Sequence, residues 1–436
     1  MTRHSHSKGT DRRTILRTIG GTGVAIGLAG CTGINEGNDG DGGDGGDGGD
    51  GGDGGNGGNG GNGGDGTDTT EQEPEEFNIG VSVPLSGRFS GAGSLFVPSY
   101  RAWEKKVNDA GGINGHMVNF QIEDNESDEA RANRLASRFV SDEKDFIISA
   151  YSSPMMRAAA PPAEDAGIPI INSSGVNFEM HGSFDYAFQF QPTLARNTTA
   201  SLLNQAGVTD VATWGVDLDW TSQSKGNFVN EVAPDHDLNI VYNDTHSNDQ
   251  QDFSSFVLRA EEQGADALVS FNYPNSVIAQ MRAINNSSWE PTLVSSVTAG
   301  VQDVQDALGQ ELLDWTCVPV VWNANVELEG NDEFKRLYQE QSDLNLAEHA
   351  AMGWGSVQVF GEAIRSLGND AKDGDTLRQW LLDSSVQTIL GTSEFNDRGI
   401  QQGYDWKETQ WQGNEKPLVA PEDVKETDLQ YPKPWP

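Results

Sequence analysis

The stretch Tyr151-Ser152-Ser153-Pro154 holds the side chains best placed for chemistry. Proline is favoured at the first position of a helix, where its missing N–H is no loss, and serine just before it. The spacing predicts a helix that starts at Pro154 with Ser153 as its cap. A helix start carries unpaired N–H groups and partial positive charge, which suit a carboxylate or another electron-rich group. Ser153 therefore has two readings, a cap alone or a cap that also meets a ligand. Either way the chemistry is binding. No G-x-S-x-G elbow, P-loop or H-E-x-x-H is present, and no G-x-G-x-x-G in strand–turn–helix context. His116, His181, His236, His246 and His349 lack metal-ligand spacing, so no metal and no cofactor is expected. An enzyme is the weakest of the function classes.

The elements that must position these residues follow from hydrophobic periodicity. Ile79–Val83, Val118–Glu123, Phe146–Ser149 and Ile168–Asn172 read as strands. Between them, Phe96, Tyr100, Trp103 and Val107 share one helical face, Ala132, Leu135 and Phe139 mark a second helix, and Met155–Ala166 a third. This succession predicts a parallel sheet covered on both faces. The rhythm restarts near Thr209, with strands at Val211–Gly215, Ile240–Asn243, Ala267–Phe271 and Thr292–Ser296 and helices at Gly226–Val232, Phe253–Gln263 and Val277–Asn285. A third block holds a strand at Val318–Val321 and helices at Asp332–Ser342, Ala350–Ser366 and Thr376–Leu382. The fold class is α/β with two lobes and a return segment.

Ligands of parallel α/β sheets sit beyond the carboxyl ends of the strands. That rule selects the loops Pro84–Gly93, Tyr151–Pro154 and Ser173–Asn177 in one lobe, and Asp217–Thr221, Asn272–Pro274 and Val297–Gly300 in the other. Candidate ligand contacts in them are Phe89, Tyr151, Ser152, Ser153, Ser173 and Ser174, facing Trp220, Tyr273 and Thr298. Trp220 and Tyr273 have the alternative reading of core aromatics.

Upstream of these lobes the composition changes sharply. Arg12-Arg13 and a short apolar run from Ile15 to Leu28 precede Leu28-Ala-Gly-Cys31, and residues 37–66 hold only Gly, Asp and Asn. The order resembles a twin-arginine export signal ending in a lipobox, with Cys31 as the lipid-bearing residue. The apolar run is too short and Gly-rich for a bilayer span of ~20 residues. The segment after Cys31 reads as a disordered tether. At ~5–6 Å times the square root of its length, some ~45 residues average roughly 35–40 Å. The expected organisation is a signal at 1–30, a tether at 31–76, and the lobes over 77–436.

The chain has 66 acidic and 28 basic residues, a net charge of -38. Such a charge argues against binding nucleic acid, whose phosphates it repels. It also opposes compaction at low salt, an effect that a ~3 Å screening length at molar salt removes. The pattern resembles proteins of salt-loving archaea. Cys31 and Cys317 are the two cysteines, so with Cys31 lipidated no disulfide is available. The turn Glu123-Asp-Asn-Glu-Ser-Asp128 reads as a solvated loop in preference to a calcium site.

The body resembles the type I solute-binding proteins of ABC importers, in the leucine/isoleucine/valine-binding branch. The carrying segments are Ile79-Gly-Val-Ser-Val-Pro-Leu-Ser-Gly87, Asn108-Asp-Ala-Gly-Gly-Ile-Asn-Gly115, Glu123–Asp128, Tyr151–Pro154, Ala158-Ala-Ala-Pro161 with Ala166-Gly-Ile-Pro-Ile170, Gly391 with Phe395-Asn-Asp-Arg-Gly399, Gln410-Trp411 and Tyr431-Pro-Lys-Pro434. The resemblance spans most of residues 77–436 and implies two Rossmann-like lobes with parallel sheets joined by three hinge crossovers. These crossovers are expected near Pro192–Leu194, Pro319–Trp322 and Leu390–Glu394. Lobe 1 is then 77–193 plus 322–390, and lobe 2 is 194–321 plus 391–436. It implies a lipid-tethered monomer on the outer face of the cell membrane that captures a small solute and delivers it to the importer's permease subunits. A receptor-type sensor built on the same fold is the second reading.

The resemblance puts the family's carboxylate-binding serine on Ser153, its loop carbonyl near Ser174, and its second-lobe aromatics on Trp220 and Tyr273. Three positions depart from it. Val176 stands for a threonine, Ala92 for a tyrosine with Phe89 the nearest aromatic, and Val297 or Thr298 for the acid that pairs with a ligand ammonium. A buried ammonium without a carboxylate partner is costly. An amino acid therefore needs Asp217 or Asp219, whereas an amide, urea or small organic acid needs neither.

Overall fold

Phe77–Val83 (β1) is buried along nearly its whole length and takes an interior place in a sheet. The computed structural model describes residues 76–176 and 183–436. Around β1 lie Val118–Asp124 (β2), Phe146–Tyr151 (β3), Ile170–Ser174 (β4) and Ala187–Gln189 (β5), all parallel, in the order β2-β1-β3-β4-β5. Helices Glu129–Ser141 and Ser153–Ala166 cover one face through Leu135, Phe139, Met156 and Ala160. Gly80 permits this contact, because a Cβ there would stand 2.5 Å from the Phe139 ring. Helices Phe96–Asp109 and Glu348–Leu367 cover the other face, where Phe360 stacks on Phe146 at 4.4 Å.

The second lobe repeats the plan. Asp210–Val216 (β6), Asn239–His246 (β7), Ala267–Phe271 (β8), Leu293–Ser296 (β9) and Cys317–Val320 (β10) are parallel. After a separate hairpin of Ser385–Thr388 (β11) and Gly391–Glu394 (β12), the chain adds Lys407–Gln410 (β13) and Leu418–Ala420 (β14) antiparallel. The order is β14-β13-β10-β9-β8-β6-β7. The molecule is a two-lobed α/β protein with parallel sheets, and every strand named from the sequence is present, most with longer ends.

Three details differ from the sequence reading. The helix expected at Gly226–Val232 begins at Asp219, runs to Asn227 and widens to a π turn over Phe228–Val232. Helices Asn197–Gln205 and Gln302–Leu313 are additional; the second is interrupted by Gly309 at φ 73°. The segment Leu390–Glu394, expected as a crossover, folds back as β12. Ile389 and Leu390 are buried, and that burial turns the chain into a hairpin. Residues 399–401 then run along β5, where Gln189 N–H donates to the Gly399 carbonyl at 2.8 Å and Gln401 N–H to the Gln189 carbonyl at 3.0 Å. The chain joins the second sheet only at Lys407.

No helix among the described residues is long and apolar enough to cross a membrane. Arg12, Arg13, Cys31, Asn177 and His181 lie outside the described residues.

Candidate functional site

In each sheet the winding reverses once. The crevice created lies between β1 and β3 in the first lobe and between β6 and β8 in the second. The loops leaving these four strands carry Phe89, Tyr151–Ser153, Trp220 and Tyr273.

The loop after β1 is held by the acidic turn. Asp124 accepts from the N–H groups of Leu85 at 2.8 Å, Ser86 at 3.3 Å and Glu126 at 2.7 Å, and from the Ser86 hydroxyl at 2.7 Å. Burial alone pushes the pKa of this carboxyl up, but those hydrogen bonds outweigh it and hold it below its usual range. Ser127 Oγ accepts from Phe89 N–H at 3.1 Å. So fixed, Phe89 meets Tyr151 edge to face at 5.7 Å, with the Arg88 guanidinium 4.5 Å from its ring centre. Tyr151 also packs against His349 at 5.2 Å and Phe96 at 6.1 Å. Burial, reinforced by Tyr273 and Glu348, pushes the Tyr151 phenol far up. Burial lowers His349 to about 4, so its ring is neutral near pH 7.

The helix start differs by one residue from the sequence reading. Ser153 is the first helical residue and Ser152 the cap position, at φ 78° and without a side-chain cap bond. Ser153 Oγ turns aside, accepting Val176 N–H at 3.0 Å and donating to the Val176 carbonyl at 2.8 Å. It braces the loop after β4. Ser152 N–H donates to the Ser174 carbonyl at 2.8 Å, and the buried Ser152 hydroxyl has no partner among the described residues. A non-glycine residue at positive φ beside an orphan hydroxyl is a strained arrangement of the kind found at ligand sites. Ser174 Oγ donates to Gln191 Oε1 at 3.1 Å. Ser173 projects to the opposite face, where its hydroxyl joins Tyr100 at 3.0 Å and Ser356 at 2.8 Å, fully buried in the core.

The opposing wall is built on helix starts. Trp220 lies in the first turn of Asp219–Asn227 and Tyr273 at the cap position of Pro274–Asn285. Trp220 Nε1 donates to Tyr273 Oη at 2.9 Å, with the rings 5.6 Å apart and edge to face. Burial raises the Tyr273 phenol, while the Trp220 hydrogen bond and the Arg88 charge work against it. Arg88 and Tyr273 belong to different lobes, so the two walls face each other. Behind them, Asn272 donates to Gln280 at 2.7 Å and meets His246 Nε2 at 2.8 Å. Thr298, at φ 70°, donates to the Asn272 carbonyl at 3.0 Å. This net fixes the loops after β8 and β9.

The structure adds residues that the sequence reading did not name. Glu348 opens the helix Glu348–Leu367, and its Oε2 accepts Val321 N–H at 3.2 Å. Burial raises it to about 7, against the opposing pull of that N–H and of Lys416. Lys416 donates to the Gly300 carbonyl and lies 4.8 Å from the Trp411 ring centre. Nothing in the sequence singles out Glu348 among 66 acidic residues. Asp217 is exposed and acts electrostatically on Lys225, and the Asp219 side chain lies outside the described residues.

Depressions of about 520 Å³, lined by Phe253, Ile278 and Arg282, and of about 400 Å³, lined by Pro192, Arg398 and Tyr404, hold none of these residues. Among the described residues no group of three or more His, Cys, Asp or Glu could hold a metal ion.

Two doubly wound lobes with aromatic loops facing across one cleft form the build of a protein that encloses a small ligand. The chain belongs to the periplasmic binding protein family, whose model matches residues 76–415. It is 22% identical over 343 residues to a Leu/Ile/Val-binding protein homolog of Brucella melitensis, covering 73% of this chain and 79% of that one. The branched-chain amino acid transporter substrate binding protein of Streptococcus pneumoniae, solved with isoleucine, superposes with a TM-score of 0.67 at 17% identity, over 79% of this chain and 100% of that one. A solute binding protein of Rhodopseudomonas palustris solved with 4-hydroxybenzoate gives a TM-score of 0.67 at 16% identity, over 82% of this chain and 98% of that one.

Proposed function

We propose that this protein is the extracellular solute-binding component of an ABC importer. It takes a small amino acid of the branched-chain kind into the cleft and presents it to the permease subunits. The observation that carries this reading is the cleft itself, with Phe89 and Tyr151 on one wall and Trp220 and Tyr273 on the other, at the reversal points of both sheets. Under this reading the ligand carboxylate lies at the start of helix Ser153–Ala166, and the aromatic rings enclose the side chain.

The lobes are 77–193 with 322–401 and 194–321 with the C-terminal segment, the last crossing falling at residues 402–406. Twin-arginine export through Arg12 and Arg13, and a lipid on Cys31, hold the body outside the membrane as a monomer. The acidic composition suits a salt-rich exterior.

A small organic acid is the rival ligand. What favours it is Arg88, which presents its guanidinium at the mouth of the cleft over Phe89.

Thermal shift in molar salt with leucine, isoleucine, valine, 4-hydroxybenzoate, acetamide and urea tests the reading. A solute at 100 times its dissociation constant stabilises by ~2.7 kcal/mol. One of the three amino acids is expected to give the largest shift, and Trp220→Ala to weaken it at least tenfold. A screen in which none of the three shifts the transition refutes the amino-acid assignment.

A further inference from the structure

We propose that Glu348 is the acid that pairs with the ligand's ammonium group. The inference rests on the amino-acid reading of the cleft and fills the role for which Val297 and Thr298 offer no carboxylate.

Position comes first. Glu348 is adjacent to His349, whose ring packs on Tyr151 at 5.2 Å and Phe96 at 5.9 Å. The start of this helix therefore belongs to the same wall as Phe89 and Tyr151. Satisfaction comes second. Oε2 holds one N–H, that of Val321, and Oε1 has no hydrogen bond among the described residues. Glu348 also has no ion-pair partner among them. A carboxylate removed from water with one hydrogen bond and no counter-ion is destabilising, and a bound ammonium supplies what is missing.

The groups around Glu348 leave that role open. Tyr151, at the end of β3, is electrostatically coupled to it. Lys416, from the loop between β13 and β14, feels its charge but donates to the Gly300 carbonyl instead. His349 is neutral near pH 7. Tyr273 faces Tyr151 across the cleft, and Arg88, on the same wall as Tyr151, faces Tyr273. Among the described residues the other acid whose pKa burial raises, Glu408, is bound by Ser295 and Thr199 inside the second lobe and is unavailable to the cleft.

Because burial brings Glu348 to about 7, proton and ammonium compete for it near neutrality. Affinity for an amino acid must rise with pH through that region and level off above it. An acid ligand, accepting a hydrogen bond from the protonated carboxyl, shows the opposite slope.

The test is calorimetry from pH 5.5 to 8.5 in molar salt, with the parent and Glu348→Gln. The probes are L-leucine, L-isoleucine and L-valine, and 4-methylpentanoate, which is leucine without its ammonium. The amino acid that the parent binds should lose at least tenfold in affinity to Glu348→Gln at pH 8, and its pH slope should vanish. The deaminated probe should lack the rise and lose no affinity in Glu348→Gln. Equal amino-acid affinity in parent and variant overturns this inference and leaves the proposed function standing. A parent that binds none of the amino acids, or binds 4-methylpentanoate more tightly at low pH than any of them, overturns both. If Glu348→Gln does not fold, the parent's two pH profiles decide. A rise for the amino acid but not for 4-methylpentanoate supports the role of Glu348, and parallel profiles refute it. That comparison also separates Glu348 from Lys433, a second buried group brought to about 7, which donates to the Leu312 carbonyl away from the cleft.

Discussion

Ser153 and Ser173 look alike in the sequence and have different tasks in the structure. Ser153 ties the loop after β4 to the helix start through Val176, whereas Ser173 links Tyr100 to Ser356 inside the core. Ser153→Ala should weaken ligand binding about tenfold by freeing that loop. Ser173→Ala should leave affinity within about twofold and lower stability by ~1–3 kcal/mol, the range for orphaning a buried polar group. Calorimetry and chemical denaturation of both variants check the pair, and a larger affinity loss at Ser173 would contradict its core placement. The sequence could not separate Ser173 from Ser174, because successive strand residues point to opposite faces and β4 is buried on both. The placement of Trp220 and Tyr273 beyond β6 and β8 was legible, since each follows an apolar strand by a few residues. Glu348 was not, because its character comes from burial by segments far away in sequence. Its charge also has a cost for the unliganded protein. The folded carboxyl holds its proton to about 7, above its ordinary value of 4.5, so stability falls as pH rises between the two. Glu348→Gln without ligand should therefore melt higher than the parent at pH 8 and equally at pH 4. The gain should be on the order of 1–3 kcal/mol after allowing for residual solvent access.

Among the elements, helix Glu348–Leu367 does most to join distant parts. Its Gly355 faces Leu390 and Phe190, and a Cβ there would come within 2.4 Å of Leu390 Cδ1 and 2.8 Å of Phe190 Cζ. Phe190 follows β5 at the first crossover, and Leu390 is the turn of the β11–β12 hairpin. Gly355→Ala should therefore cost ~1–3 kcal/mol through overpacking, despite alanine's better helix propensity. Urea unfolding measures it, and an unchanged or higher midpoint would show that the contact yields freely. Strand centres were legible from apolar runs, whereas strand ends extend further because polar residues also join the ladder, as in β7. Helix Gln302–Leu313 was obscured by Gly309, and the hairpin by a family pattern that suggested a crossing where local burial favours a turn.

At the scale of the whole molecule, a net charge of -38 opposes compaction. Raising salt from 0.1 to 1 M shortens the screening length from ~10 to ~3 Å, so the melting temperature should climb steeply with KCl. Circular dichroism melts across that range check this, and a flat curve would show that the acidic groups are already far enough apart to be harmless. The interleaving of the lobes also sets the order of events on the ribosome. Ser99 Oγ donates to the Ala350 carbonyl at 2.7 Å across 251 positions of chain, where two helices close one face of the first sheet. At ~5–20 residues per second, that partner emerges roughly 12–50 s after Ser99. Throughout that interval Tyr100, Trp103 and Phe146 lack the cover that Phe360 and its neighbours later give them. The nascent first lobe is thus a half-finished surface awaiting its last piece, bare for as long as translation takes to deliver it.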